Sequence, residues 1–255
     1  MAGRLTGRRA VVTGGAVGIG KAIAAAYLRE EASVVIADID AEIAQGTAEE
    51  LSEIGTIFAI SCDVTSLAET RSMAAEAIDR LGGVNVLVNN AGLSGRGLIT
   101  EIPEERIDAL LAVNLKGVIL CAQAFAQAMY DTGNAVMINM SSQAGKRGWP
   151  ELSVYGATKA GVLGMNRALA VELAPHVRVN AICPGYISDV GMAWRGWEGR
   201  GDASEIGNKF ARDNIPLQRL QSADDIANTA VFLASDEARE ITGEAINVGG
   251  GVVTD

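Results

Sequence analysis

The chain has 255 residues, 49% of them apolar and only 4% aromatic, and carries a formal net charge of -10 at pH 7. That length suits one α/β domain, and a core of Val, Ile, Leu and Ala is the composition of a parallel sheet buried on both faces. The acidic balance argues against a nucleic-acid binder, because phosphate contacts need clustered Lys and Arg.

The N-terminal segment Met1-Ala2-Gly3-Arg4-Leu5-Thr6 enters the first strand at once and has no apolar signal region. No window approaches the apolar length needed to span a bilayer, so a cytoplasmic protein with no membrane partner is expected. Short β-branched runs place strands at 9–13, 33–37, 56–61, 84–88, 135–140, 177–183 and 244–248. Amphipathic stretches place helices at 18–30, 41–54, 66–81, 104–129, 153–173 and 223–234. Pro103, followed by Glu104 and Glu105, is a helix start with a fixed φ and acids in the first turn. The alternation implies right-handed βαβ units in a doubly wound α/β sheet of seven parallel strands. Ligands of such sheets bind beyond the carboxyl ends of the strands. One stretch, 185–216, breaks the rhythm and reads as an irregular substrate lid within a single domain, 1–255. Cys62, Cys121 and Cys183 lack metal-ligand spacing and read as reduced thiols, and no metal is expected. His176, the one histidine, reads as a loop residue.

The first strand runs into Thr13-Gly14-Gly15-Ala16-Val17-Gly18-Ile19-Gly20 and then a helix. Gly14, Gly18 and Gly20 let the backbone turn tightly and approach a pyrophosphate, whose charge the helix N-terminus favours. The spacing is G-x-x-x-G-x-G rather than G-x-G-x-x-G. Asp38 ends the second strand, where a carboxylate accepts from both adenosine ribose hydroxyls and repels a 2′-phosphate. Neither Val17 in the turn nor Ile39 after the acid offers a compensating cation, so NAD is expected rather than NADP.

With these residues the chain resembles the short-chain dehydrogenase/reductase family over nearly its whole length, which implies a Rossmann domain that is both dinucleotide-binding and catalytic. Cys62-Asp63-Val64 matches the family's Asp-Val pair at the adenine, and Asn89-Asn90-Ala91-Gly92 its segment after the fourth strand. Val17, Ile19, Ile39, Asp63, Val64, Asn90, Ala91, Gly92, Pro184, Gly185 and Ile187 are thereby expected to hold the cofactor beside Gly14, Gly18 and Asp38. The family's tetrad of Asn, Ser, Tyr and Lys maps onto Asn114, Ser142, Tyr155 and Lys159, with Ser142 rather than Ser141 thirteen residues before Tyr155. The resemblance gives Lys159 a second task on the nicotinamide ribose and Asn114 a water leading from Lys159 to solvent. Two positions depart from the family's pattern. Asp189 stands where a Thr is common, and Val248-Gly249-Gly250-Gly251 replaces Val-Asp-Gly-Gly.

The case for the catalytic pair also stands without the resemblance. Tyr155 and Lys159 are i and i+4, on one face of a helix. With four Tyr and five Lys in the chain, chance seldom supplies that spacing. A Tyr titrates near ~10 and needs a fall of roughly 2–3 units to work near neutrality. A neighbouring ammonium and the helix N-terminus give a field of the right sign.

The expected reaction is hydride exchange between NAD(H) and a secondary alcohol or ketone. Ser142, Gln143, Trp149, Tyr155 and Trp194 are the expected substrate contacts. Trp149, Glu151, Trp194, Arg195, Trp197, Glu198 and Arg200 suit a polar substrate walled by indoles, and the segment 138–148 resembles sorbitol-type polyol dehydrogenases. A 3-oxoacyl reductase and a non-catalytic NAD sensor are the alternatives. Asp38 and the acidic charge weigh against the first, and an intact Ser142, Tyr155 and Lys159 against the second. The resemblance further implies a homotetramer built on the helices at 104–129 and 153–173.

Overall fold

The computed structural model describes residues 2–188 and 201–254. In chain order it comprises β1 (Arg9–Thr13), α1 (Gly18–Arg29), β2 (Ser33–Asp38), α2 (Ala41–Leu51), β3 (Ile57–Ser61), α3 (Leu67–Leu81) and β4 (Val86–Asn89). There follow α4 (Glu104–Leu111), a π-helical stretch (Ala112–Gly117), α5 (Val118–Thr132), β5 (Ala135–Met140) and α6 (Ser153–Glu172). The chain closes with β6 (Val177–Pro184), α7 (Ala203–Asn214), α8 (Ala223–Ala234) and β7 (Ala245–Val248). All seven strands are parallel, in the order β3-β2-β1-β4-β5-β6-β7. The order reverses between β1 and β4, and a crevice opens at such a switch point.

Side chains alternate across the sheet as a strand's period of two requires. Ala10, Val12, Val34 and Ile36 face a core closed by Ile23 and Tyr27 of α1 and by Ile226, Ala230 and Val231 of α8. Val11, Val35, Leu87 and Met137 face the opposite core with Met73 of α3 and Phe125 and Met129 of α5. Burial on both faces explains why the strands read as near-continuous apolar runs.

Polar side chains set several helix starts. The Asp40 carboxylate accepts from the Ile43 N–H, the Ser66 hydroxyl accepts from Glu69, and Ser222 with Asp225 forms a reciprocal capping box. These caps explain the short differences from the sequence-based limits: Glu30 and Ser66 are caps, and α2 ends at Leu51. Pro103 is likewise the residue before the helix rather than its first residue.

Three larger expectations are corrected. The stretch after β6 is not irregular throughout, because Ala203–Asn214 forms a helix capped by the Asp202 carboxylate. The helix at 104–129 is interrupted by the π-helical stretch Ala112–Gly117 and continues to Thr132. Finally, Glu104–Thr132 is long and apolar enough to cross a membrane by length and composition, with 29 residues and a hydropathy of 1.7. Part of that apolar content is core, since Cys121, Ala122, Phe125 and Met129 pack against the sheet. Leu111 and Ile119 stay exposed.

A chain of buried asparagines crosses the sheet beneath the crevice. Asn89 Nδ2 donates to Asn139 Oδ1 at 2.9 Å, Asn139 Nδ2 to Asn166 Oδ1 at 3.1 Å, and Asn166 Nδ2 to the Glu244 carbonyl at 3.2 Å. The three residues tie β4, β5, α6 and the approach to β7 into one unit. Buried amides bonded to one another favour one arrangement of their elements, because each is costly to leave unpartnered; the Asn89 Oδ1, at the head of the ladder, is the one carboxamide oxygen of the three without a partner.

Candidate active site

The carboxyl ends of the central strands open on a cavity of about 1020 Å³. One end is lined by Gly14, Val17, Gly18, Ile19, Asp38, Ile39, Asp63 and Val64. The middle is lined by Asn90, Ala91, Gly92, Lys159, Pro184, Gly185 and Ile187. At the far end stand Ser142, Gln143, Trp149 and Tyr155. Every described cofactor residue expected from the sequence therefore lies on one cavity, although the residues come from five strand ends and α6.

The first turn leaves no room for side chains. Gly14 and Gly18 have φ of 61° and 58°, in the left-handed region where glycine alone is unstrained. A Cβ on Gly14 would lie 2.8 Å from the Ala91 Cα, and one on Gly20 would lie 2.0 Å from the Gly14 carbonyl oxygen. The helix behind this turn has Val17 as its N-cap, which supplies no side-chain cap, and no acidic residue in its first turn. Its N–H groups and dipole are thus left for an anion, as a dinucleotide pyrophosphate requires. Asp38 accepts from the Ala16 N–H at 3.2 Å and from the Asp40 N–H at 3.3 Å, which sets its carboxylate beside the turn. No Lys or Arg is among the described residues lining that end. These features fit a nicotinamide dinucleotide.

Asn90 lines the cavity, but its Nδ2 donates to the Thr13 and Gly14 carbonyls at 3.0 and 2.9 Å. It staples β4 to the glycine turn and shapes the cradle. The Asp63 Oδ1 accepts from both the N–H and the hydroxyl of Thr65, at 2.8 Å each.

The four expected catalytic residues come together from three elements. The sequence assigns Ser142 over Ser141, and the geometry separates them further. The Ser141 hydroxyl donates to the Lys159 carbonyl at 2.9 Å and pins α6 to β5. The Ser142 hydroxyl is hydrogen-bonded to Tyr155. Lys159 Nζ donates to the Met140 carbonyl at 2.9 Å and stands 5.8 Å from the centre of the Tyr155 ring. Asn114 is fully buried in the π-helical stretch, a feature frequent at functional sites. Its Oδ1 accepts from the Leu93 N–H at 2.7 Å and its Nδ2 donates to the Leu93 carbonyl at 2.9 Å. That pairing fixes the loop at Gly92, where a Cβ would sit 3.3 Å from Asn114 Oδ1 and 3.6 Å from Lys159 Nζ.

The expected acidification of Tyr155 by the ammonium is corrected. Burial pushes the Tyr155 phenol up, and the Ser142 hydrogen bond is the influence that pulls it down. The same burial lowers Lys159 to about 8. The ammonium donates to the Met140 carbonyl, and desolvation is the largest influence on the phenol.

Trp149 lines the substrate end, donates to the Tyr186 hydroxyl and carries the Arg147 guanidinium 5.4 Å from its ring centre. Tyr186 packs at 4.6 Å against Phe210 of α7, which brings that helix to the border of the cavity. Trp194 and Asp189, with the other charged and indole residues expected at 194–200, lie outside the described residues. Sequence reasoning missed Ser94, Arg96, Leu152 and Tyr186, all of which line the cavity. Tyr186 carried a signal, since it directly follows the strand-end Pro184-Gly185. Arg96 carried none; its ion pair with Glu151 at 3.3 Å joins loops 55 residues apart.

A doubly wound sheet with a glycine turn at its switch point and a Ser–Tyr–Lys cluster at the other end of one cavity defines an oxidoreductase of the Rossmann type. Residues 14–253 match the enoyl-(acyl carrier protein) reductase family, and the chain belongs to the short-chain dehydrogenases/reductases, a family that binds a nicotinamide cofactor. It is 41% identical over 255 residues to a sorbitol dehydrogenase of Cereibacter sphaeroides, covering 97% of this chain and 98% of that one. It is 35% identical to a 3-oxoacyl-(acyl-carrier-protein) reductase of Thermotoga maritima, with 98% and 99% covered. Among solved structures it is similar to an NAD+-bound xylitol dehydrogenase, with a TM-score of 0.91, 25% identity, and 97% and 99% of the two chains covered.

Proposed function

We propose that this protein is an NAD(H)-dependent dehydrogenase of secondary alcohols, acting on a polyol, sugar or diol and on the matching ketone. One observation carries the reading: a single cavity has the Asp38 carboxylate at its nucleotide end, with no Lys or Arg beside it among the described lining residues, and the Ser142–Tyr155–Lys159 cluster at the other. Its likeness to a sorbitol dehydrogenase and to an NAD+-bound xylitol dehydrogenase supports the same substrate class. When bound, NAD supplies the acceptor for the hydrogen and electron pair of the carbinol C–H bond. Ser142 holds the substrate oxygen and steadies the Tyr155 phenolate. Tyr155 takes the hydroxyl proton in oxidation and returns it in reduction. Lys159, held by the Met140 carbonyl, keeps positive charge beside the pair, and Asn114 positions the Gly92 loop that borders it.

The test is absorbance of NADH formed from a panel of polyols, diols and hydroxy acids. NADH formation from diols or polyols is expected. No formation with any alcohol, together with NADPH consumption by an acetoacetyl thioester, would overturn the reading in favour of 3-oxoacyl reduction, the activity named for the Thermotoga relative. The cofactor preference has its own check. Asp38→Ala should lower the ratio of kcat/KM with NAD to that with NADP at least tenfold, about 1.4 kcal/mol. An unchanged ratio would refute the ribose role.

We further propose a homotetramer in the cytoplasm. Leu111, Ile119 and Tyr130 along α4 and α5, and Val171 at 82% exposure on α6, offer apolar surface for such an assembly. The buried thiols Cys62 and Cys121, pushed up to about 11 and 12, behave as inert core residues.

A further inference from the structure

Gln143 follows Ser142 directly, lines the cavity, and is 2% exposed. Both its Oε1 and its Nε2 are buried without a hydrogen-bond partner. Native structures rarely leave a carboxamide wholly unsatisfied, and such a group points to a role outside the fold's own stability. The carboxamide rests in a seat made by two glycines. Gly185 follows β6 and Gly249 follows β7. A Cβ built on Gly249 would lie 1.7 Å from Gln143 Nε2, and one on Gly185 would lie 2.9 Å from Gln143 Oε1. Gly249 has no positive φ, so the backbone does not demand glycine there; the space taken by Gln143 does. This accounts for the departure from Val-Asp-Gly-Gly noted in the sequence.

We propose that Gln143 determines specificity by binding a second hydroxyl, on the carbon next to the reacting one, and that Gly249 is a positioning residue that sets where the carboxamide stands. The inference deepens the dehydrogenase reading and rests on it. A carboxamide presents one acceptor and two donors, and a hydroxyl both donates and accepts. One hydroxyl can therefore satisfy both ends of Gln143, whereas a methyl or methylene satisfies neither. Ser142, which holds the reacting oxygen, lines the same cavity as Gln143, and the proposed substrate carries its two oxygens on adjacent carbons. The class is vicinal diols and polyols, with 2-hydroxy ketones in the reductive direction. Seated on Gly249 the carboxamide has no partner, and a diol in the cavity draws it forward by offering one. A side chain at position 249 would fill the seat and hold the carboxamide in the cavity.

The experiment compares kcat/KM for 2,3-butanediol and 2-butanol with NAD in four proteins: wild type, Gln143→Ala, Gly249→Ala and the double variant. The diol-to-alcohol ratio is expected to fall at least tenfold in Gln143→Ala. In Gly249→Ala it should rise at least threefold, through KM rather than kcat. In the double variant Gly249→Ala should leave the ratio of Gln143→Ala unmoved, as a residue acting only through Gln143 must. An unchanged ratio in Gln143→Ala, with both compounds still oxidised, overturns the proposal and leaves the dehydrogenase reading standing. An equal effect of Gly249→Ala with and without Gln143 overturns the positioning role. If Gly249→Ala does not fold, Gln143→Ala alone decides the hydroxyl assignment. Failure of the wild type to oxidise either compound overturns the underlying reading and this proposal with it.

Discussion

Tyr155→Phe is expected to lower kcat by roughly 10²- to 10⁴-fold, the range that a positioned general acid or base supplies, while NADH still binds with little change. The expectation follows from which atoms do what. The glycine turn, the uncapped start of α1 and Asp38, which form the nucleotide end, make no hydrogen bond to the phenol. Removing one oxygen from Tyr155 leaves them as they are. At the other end the phenol oxygen is the titratable group hydrogen-bonded to Ser142, and Phe keeps the ring that faces Lys159. In the wild type, burial raises the Tyr155 phenol and lowers Lys159. Near neutrality both hold their protons, so the pair stands ready to donate to a ketone. Alcohol oxidation needs the phenolate, and should gain as pH rises while reduction loses. The pair titrates as a unit, so each profile reports the pair and not either residue alone. Steady-state kinetics in both directions, with NADH fluorescence for binding, decide it. A variant that keeps a tenth of wild-type kcat has another base.

Much of this site was legible because its chemistry sits at fixed offsets from strand ends. Gly14, Asp38, Asn90, Ser142 and Gly185 each follow or end a strand whose apolar run is unmistakable, and a doubly wound sheet gathers such ends on one edge. Ser142 could be preferred to Ser141 from spacing, but the reason for the choice is tertiary: Ser141 is consumed by the Lys159 carbonyl. What stayed hidden depends on contacts between remote segments. The ladder from Asn89 through Asn139 and Asn166 to Glu244 joins residues between 27 and 78 positions apart. No local pattern reveals it. The seat of Gln143 on Gly249 is of the same kind: the sequence marked Gly249 only as a departure, and the cause became visible once β6 and β7 lay side by side. The direction of the Tyr155 shift was also beyond the sequence, because i, i+4 spacing places an ammonium on the right face without showing how deeply the fold buries the phenol.

The lowered Lys159 carries a measurable stability consequence with a definite sign. In the unfolded chain its ammonium has the ordinary value of 10.5; in the fold, burial reduces this to about 8. Above the unfolded value the side chain is neutral in both states and no penalty exists. As pH falls toward 8 the unfolded chain takes up the proton first, and below 8 the folded protein bears the full cost of a buried ammonium. At about 1.4 kcal/mol per unit, that cost is of the order of 3 kcal/mol. Lys159→Met removes the charge and keeps an unbranched apolar stem, but leaves the Met140 carbonyl without its donor, which returns roughly 1–2 kcal/mol. The variant should therefore be more stable than wild type by about 1–2 kcal/mol at pH 7, or a few degrees in Tm for a chain of this size. It should also be inactive. Its advantage should shrink between pH 8 and 10.5, where the wild-type lysine discharges. Urea unfolding of both proteins at pH 7 and pH 10, without added cofactor, tests this. A variant less stable at pH 7, or a difference that does not move with pH, would mean that the Lys159 ammonium is not a strained charge and that its place beside Tyr155 is held at no cost to the fold.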